Sequence, residues 1–306
     1  DASGFVQTAG IVRTTNGSAT AIEITVGGTG SAAIADVRAS SGTVSITASG
    51  GAITDNLAGE AANISASKVA LTALSGIGTA DNINTAVTNL EAKTATGGIF
   101  IANTGAMTIG SVNGNLAGVD VTGASGEIVV SSTGTITVAE GVSGPANVTL
   151  SATGATSDVA VNAVVNSTGG DLILTADRDV NVSSTGGLTA VGANKIDVTA
   201  ARSILVAATV QTVSGDLTLF ANQQPVATSG NFAGITLSGT SLVQTTSGNI
   251  DLRGKGGDTG DGNYGIYLDN GSAVQSTGAG AVGFVHLTGA GGAGVNSNDG
   301  VYLSAG

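Results

Sequence analysis

The chain contains no cysteine, so it has neither a disulfide framework nor a thiolate metal site. Tryptophan is also absent, and aromatic residues make up only 3% of 306, which removes the large side chains that anchor most compact cores. Proline occurs twice and glycine has no three-residue period, which excludes a collagen helix. Basic residues are scarce too. Nine Lys plus Arg against 21 Asp plus Glu give a formal charge of −12, so the positive footprint of a nucleic-acid partner is missing. No apolar run of about 18 residues is present, so no segment reads as a transmembrane helix. Asp1-Ala2-Ser3-Gly4-Phe5-Val6 has no initiator Met, basic segment or apolar segment, and reads as an excerpt or a processed product. Gly300-Val301-Tyr302-Leu303-Ser304-Ala305-Gly306 stops inside a repeat without a polar cap. A longer natural chain, or pairing of ends between copies, is therefore expected.

What the chain has instead is glycine, 50 residues of it, and a hydrophobic content of 41%. That is too apolar, and too regularly patterned, for a disordered Gly/Ser linker. The pattern is clearest in Gly169-Gly170-Asp171-Leu172-Ile173-Leu174-Thr175-Ala176, where Leu172, Leu174 and Ala176 alternate with less apolar positions as in a half-buried strand. Val148-Leu150-Ala152, Leu172-Leu174-Ala176, Ile196-Val198-Ala200 and Leu217-Leu219-Ala221 begin 24, 24 and 21 residues apart. Val159-Val161, Val180-Val182 and Ile204-Val206 recur with them. A unit of two short strands cannot bury its apolar face alone and must stack on its neighbours. Parallel crossovers are overwhelmingly right-handed. The expected fold is therefore all-β, a right-handed parallel β-helix with rungs of about 16–24 residues. Leu172, Leu174, Val180, Val182, Ile196, Val198, Ile204, Leu217 and Leu219 should point inward.

Residues 1–306 read as one continuous solenoid in three stretches. Residues 1–40 are the least regular, with strands expected at Ile11-Val12 and Ile22 to Val26. The clean repeat starts at Ser41-Gly42-Thr43-Val44 and runs to about 213. Within it, residues 79–94 have helical spacing at Ile83, Val87 and Leu90, with Asp81 as a cap. Leu90 is nevertheless in step with Leu71 and Ile109, which favours strand and corner. Gly42, Gly126, Gly170, Gly215 and Gly248 each precede a core aliphatic by two positions, as expected of corners needing positive φ or close backbone approach. From 214 the rungs are expected to shorten, with Leu217, Ile235, Ile250, Ile266, Val285 and Val301 as successive core positions. A 35-residue echo, Asn263, Gly265, Tyr267 and Leu268 against Asn298, Gly300, Tyr302 and Leu303, then spans two rungs. About fifteen rungs at 4.7–4.9 Å each amount to roughly 70 Å.

The run Val69-Ala70-Leu71-Thr72-Ala73-Leu74-Ser75-Gly76-Ile77-Gly78-Thr79-Ala80, with Thr85 to Ala92 and Gly97 to Gly105, resembles modules of giant bacterial surface proteins, the filamentous-haemagglutinin and autotransporter-type adhesins. Ser247-Gly248-Asn249-Ile250-Asp251-Leu252 and Gly265-Ile266-Tyr267-Leu268-Asp269-Asn270 resemble a second module of these proteins. The resemblance covers about two-thirds of the chain. It implies a secreted, cell-surface β-helical fibre. The implied partners are further copies or repeats of the same fibre end to end, and surface glycans or proteins of a host or neighbouring cell.

Candidate sites are sparse. Asp177 and Asp179 flank Arg178 at a corner, where clustered carboxylates serve β-helical polysaccharide enzymes as general acid and base. The equivalent corners, Ala200-Ala201-Arg202-Ser203 and Ala221-Asn222-Gln223-Gln224, hold no acids, which favours a solvated ion pair and no enzymatic activity. Asp258 and Asp261, in Gly256-Gly257-Asp258-Thr259-Gly260-Asp261-Gly262-Asn263, are the metal candidates. Hard oxygens on a glycine-rich loop suit Ca²⁺, although tandem copies are needed and the loop 35 residues on keeps a single carboxylate, Asp299. The alternative is an exposed loop without metal. His286, the sole histidine, points outward by parity and lacks evident partners for a triad or a metal. Tyr267 and Tyr302 share outward parity, as a surface for sugars or protein or as a shield for the sheet. The function expected is an extracellular structural or adhesive fibre; the alternatives are a polysaccharide-binding or polysaccharide-cleaving β-helix and a calcium-dependent binding module.

Overall fold

The computed structural model describes residues 4–279, 283–294 and 296–304. Among them no helix occurs, and every strand pairing with a described register is parallel. The fold is a right-handed parallel β-helix, its strands following from the period-2 repeats and its hand from the rule for parallel crossovers. Contacts divide the chain into two compact units, residues 1–150 and 151–306.

In the second unit each strand pairs with the strand three places further along the chain, so each coil contributes one strand to each of three faces. The first face holds Leu172–Ala176, Ile196–Ala200, Leu217–Ala221, Ile250–Lys255 and Val285–Ala290. The second runs from Val159–Val161 through Asp179–Val182, Ser203–Val206, Ile235–Leu237 and Ile266–Leu268 to Val301–Leu303. The third holds Val164–Ser167, Gly187–Ala190, Thr209–Thr212, Leu242–Thr245 and Ala273–Ser276. Register stacks like on like. Leu172 lies opposite Ile196, Ile196 opposite Leu217, and Leu217 opposite Ile250. All nine residues expected to point inward are buried. Each buried Leu or Ile contributes about 1.5–3 kcal/mol, which replaces the missing aromatic anchors by repetition.

The first unit uses the same construction. One inward column is Ile22, Val44, Val69, Leu90, Ile109 and Val138, each opposite the next. Residues 79–94 form the strands Ile83–Ala86 and Asn89–Thr94, so the rung register overrides the helical spacing. Leu90 does pair with Ile109, but its earlier neighbour is Val69 rather than Leu71, a shift of two that preserves the facing. The strand Val37–Ala48 runs through position 40, and Ile22–Val26 is already in register with it, so the expected irregular stretch belongs to the ladder.

The expected shortening after residue 214 is corrected. Leu217 pairs with Ile250, and side-chain bonds between adjacent coils there span 31, 33 and 35 residues. The 15- to 19-residue spacings separate successive faces of one coil, and the 35-residue echo is one coil, with Tyr267 directly opposite Tyr302. Longer coils also mean fewer levels. The longest described inward columns have six positions in each unit, below the fifteen expected for the whole chain.

The corner glycines answer to close approach more than to φ. A Cβ on Gly248 would lie 2.0 Å from the carbonyl oxygen of Gly215, one coil below, and a Cβ on Gly283 would lie 1.8 Å from that of Gly248. Only a residue without a side chain lets the corners stack this closely.

Candidate functional site

The corner leading into the second face carries a cluster of ion pairs between adjacent coils. Arg178 donates from Nε to Asp158 Oδ1 at 2.7 Å, with its Nη2 on the other carboxylate oxygen, and Asp158 also accepts the Asp179 amide at 3.1 Å. One coil on, the motif repeats. Arg202 donates from Nε to Asp179 Oδ1 at 2.8 Å and from Nη2 to Oδ2, while the amide and hydroxyl of Ser203 reach Oδ1 at 3.1 and 2.7 Å. Arg178 bridges the two levels, 3.5 Å from Asp179. Burial alone would raise the Asp179 carboxyl, but hydrogen bonds from Arg202 and Ser203 outweigh it and hold the group below the usual range. Asp177 turns the other way and accepts the Gly154 amide at 2.7 Å. Asp177 and Asp179 are therefore not brought together as an acid/base pair. The corner at Arg202 holds no acid of its own, but it borrows Asp179 from the coil below. Reading corners one at a time missed this, and missed Asp158.

The same use of acids recurs before the first face. Asp171 Oδ1 accepts the Lys195 amide at 2.8 Å, Asp216 Oδ1 the Asn249 amide at 2.9 Å, and Asn249 Oδ1 the Phe284 amide at 3.2 Å. A signal for these was present in Gly170-Asp171-Leu172, Gly215-Asp216-Leu217 and Gly248-Asn249-Ile250. Each is an Asx residue placed between a corner glycine and the first core aliphatic.

Asp258 and Asp261 share a loop but serve different neighbours. Asp258 accepts the Ser229 hydroxyl and the Gly230 amide, both at 2.9 Å, and these bonds hold its carboxyl below the usual range. Asp261 accepts the Asn296 amide at 2.9 Å. Asn263, fully buried, binds Phe232 and Asn298 in the two adjacent coils. No group of three or more His, Cys, Asp or Glu side chains able to hold a metal occurs among the described residues.

His286 is not without partners. It stands opposite Asp251 on the first face, with Nδ1 3.4 Å from Asp251 Oδ1 and Nε2 3.3 Å from the Thr288 hydroxyl. The order is that of a triad, but the distances are long and the Asp251 carboxylate already takes Arg253 from the same strand at 2.6–3.2 Å. The imidazole is more than half exposed on an open strand face.

Tyr264, Tyr267 and Tyr302 pack into one triangle with centroids 5.1–5.7 Å apart, and the rings of Tyr267 and Tyr302 are nearly parallel. The three rings pack on one another across adjacent coils, and Tyr302 stays exposed.

In the first unit two acids absent from the candidate residues converge on one loop. Buried Glu91 accepts the amides of Val112 and Asn113 at 2.9 and 3.3 Å, and Glu140 accepts that of Ser111 at 3.0 Å. Ser111 has φ +61°, and Lys68 Nζ donates to its carbonyl at 2.7 Å. Burial pushes the Glu91 carboxyl up, with the two amides opposing and Glu140 adding to the rise. Glu140 Oε2 is buried without a donor.

No helix among the described residues is long and apolar enough to cross a membrane. Comparison with protein-family models, with curated proteins and with solved structures finds no match.

Proposed function

We propose that this chain is a length of extracellular stalk or filament, acting by covering distance and by presenting a repeated surface. The observation that carries this reading is the expenditure of the charged groups. Asp158, Asp171, Asp177, Asp179, Asp216, Asp258 and Asp261 each bond to a neighbouring coil rather than converging on a cleft. A solenoid built this way lengthens by adding coils, at about 4.8 Å each. The partners that follow are further coils of the same register, on this chain or on another copy, end to end. The adhesin-like modules at Val69 to Ala80 and Ser247 to Leu252 support a bacterial cell-surface setting for such a stalk.

Electron microscopy of purified native material tests the proposal. Elongated particles whose contour grows with the number of coils are expected. Compact particles of unit aspect ratio would overturn it.

A further inference from the structure

The third face of the second unit differs from the other two in having no charge. Val164–Ser167, Gly187–Ala190, Thr209–Thr212, Leu242–Thr245 and Ala273–Ser276 contain no Asp, Glu, Lys, Arg or His, in a chain of net charge −12. Its outward column is Asn166, Thr189, Gln211, Gln244 and Gln275, in register across five coils. The amides form a ladder: Gln244 Nε2 donates to Gln211 Oε1 at 3.0 Å, and Gln275 Nε2 to Gln244 Oε1 at 3.2 Å. An amide in such a ladder keeps a second N–H and a second lone pair free. Alongside runs a groove of about 350 Å³ lined by Thr189, Gln211, Val213, Gln244, Thr246 and Thr277. Val213 is 46% exposed there. The hydroxyls of Thr189 and Thr246 have no hydrogen-bond partner among the described residues.

We propose that this groove binds a neutral linear polysaccharide laid along the coil axis. Five levels give about 19 Å of evenly spaced amide and hydroxyl groups. This one-dimensional array suits a polymer of repeating hydroxyl-bearing units, with an apolar sugar face against Val213. A polyanion would find no cation. A second solenoid would find a contact about 19 by 13 Å, roughly 250 Å², against about 800 Å² per partner in a standard interface. The assignment deepens the stalk reading and rests on it for the face being open to its surroundings.

The test is affinity electrophoresis of the full chain in gels containing a mixed-linkage β-glucan, a galactomannan, a xyloglucan or polygalacturonate. Retardation by at least one neutral polymer and none by polygalacturonate is expected. The pair Gln211→Ala and Gln244→Ala should weaken it by about tenfold, as loss of the amide contacts predicts. The melting temperature should fall by only a few degrees, because both side chains point outward and the pair removes just the two ladder bonds. Thr189→Val with Thr246→Val, which keeps the volume, should weaken it too. No retardation by any neutral polymer, or retardation indifferent to both pairs, would overturn the proposal. So would concentration-dependent self-association lost in the glutamine variant, which would assign the face to a second copy. Elongated particles without glycan binding would leave the stalk standing and remove only this inference.

Discussion

Arg202 reaches down one coil to fork onto Asp179, and Arg178 makes the same reach to Asp158, so two successive coils are held by the same pair of residue types. The Asp179 side chain is only 6% exposed and lies within 3.5 Å of both arginines. Asp179→Asn should therefore cost about 2–4 kcal/mol in denaturant unfolding, because it leaves a part-buried guanidinium without its counter-charge. Asp177→Asn, which weakens one bond to Gly154, should cost no more than about 1 kcal/mol. Comparable losses for the two variants would contradict the geometry.

Acid should act through the same residue. The Asp179 carboxyl is depressed when folded, so its contribution is present above the unfolded value of about 3.9 and lost as pH falls through the lower folded value. Unfolding midpoints should stay flat from pH 7 to about 5 with respect to this group and then fall. The Asp179→Asn variant should lose part of that acid limb.

Glu91 carries the opposite sign. Its carboxyl is raised, so it favours the fold below the unfolded value of about 4.3, and that contribution is lost as pH rises through the folded value. Glu91→Gln removes the repulsion with Glu140 and supplies an N–H where Glu140 Oε2 has no donor. At pH 7 the variant should match or exceed the parent by about 1 kcal/mol. A marked loss of stability would show that both Glu91 oxygens are needed by the loop amides.

In the core, Leu219 lies between Val198 and Leu252 and is fully buried. Leu219→Ala should cost about 2–5 kcal/mol, and Leu219→Asp should abolish folding of the second unit. Far-UV circular dichroism and limited proteolysis read both outcomes.

Asp258 and Asp261 give a chelation test. With their oxygens on Ser229, Gly230 and Asn296, melting should be the same in calcium and in chelator, and Asp258→Asn should open the 229–231 loop to protease in both. A calcium-dependent melting shift lost in Asp258→Asn would restore these residues as metal ligands.

The inward columns were legible because burial alternates along each strand, which a single strand reveals. Leu172, Leu174 and Ala176 needed no partner to be read. Coil length was not legible after residue 214, because Ile235 and Ile250 are equally buried and nothing local tells a neighbour on the next face from a neighbour on the next coil. The site chemistry failed for a related reason. Asp158 and Arg178 are 20 residues apart and Asp179 and Arg202 are 23 apart, so their pairing exists only once the register is known. His286 looked solitary because its partner Asp251 belongs to the previous coil.

Within each unit the in-register stack has a mechanical corollary. Neighbouring coils hold each other through contacts 20–35 residues apart, so tension applied to the chain ends loads one coil at a time rather than shearing the whole stack. Stretching should release the unit in steps of about 70–120 Å, the contour of a 20–35-residue coil drawn out straight. Each released coil can rewind on the template of the one below it. A molecule so constructed yields under load by lengthening, and recovers from the last intact coil outward.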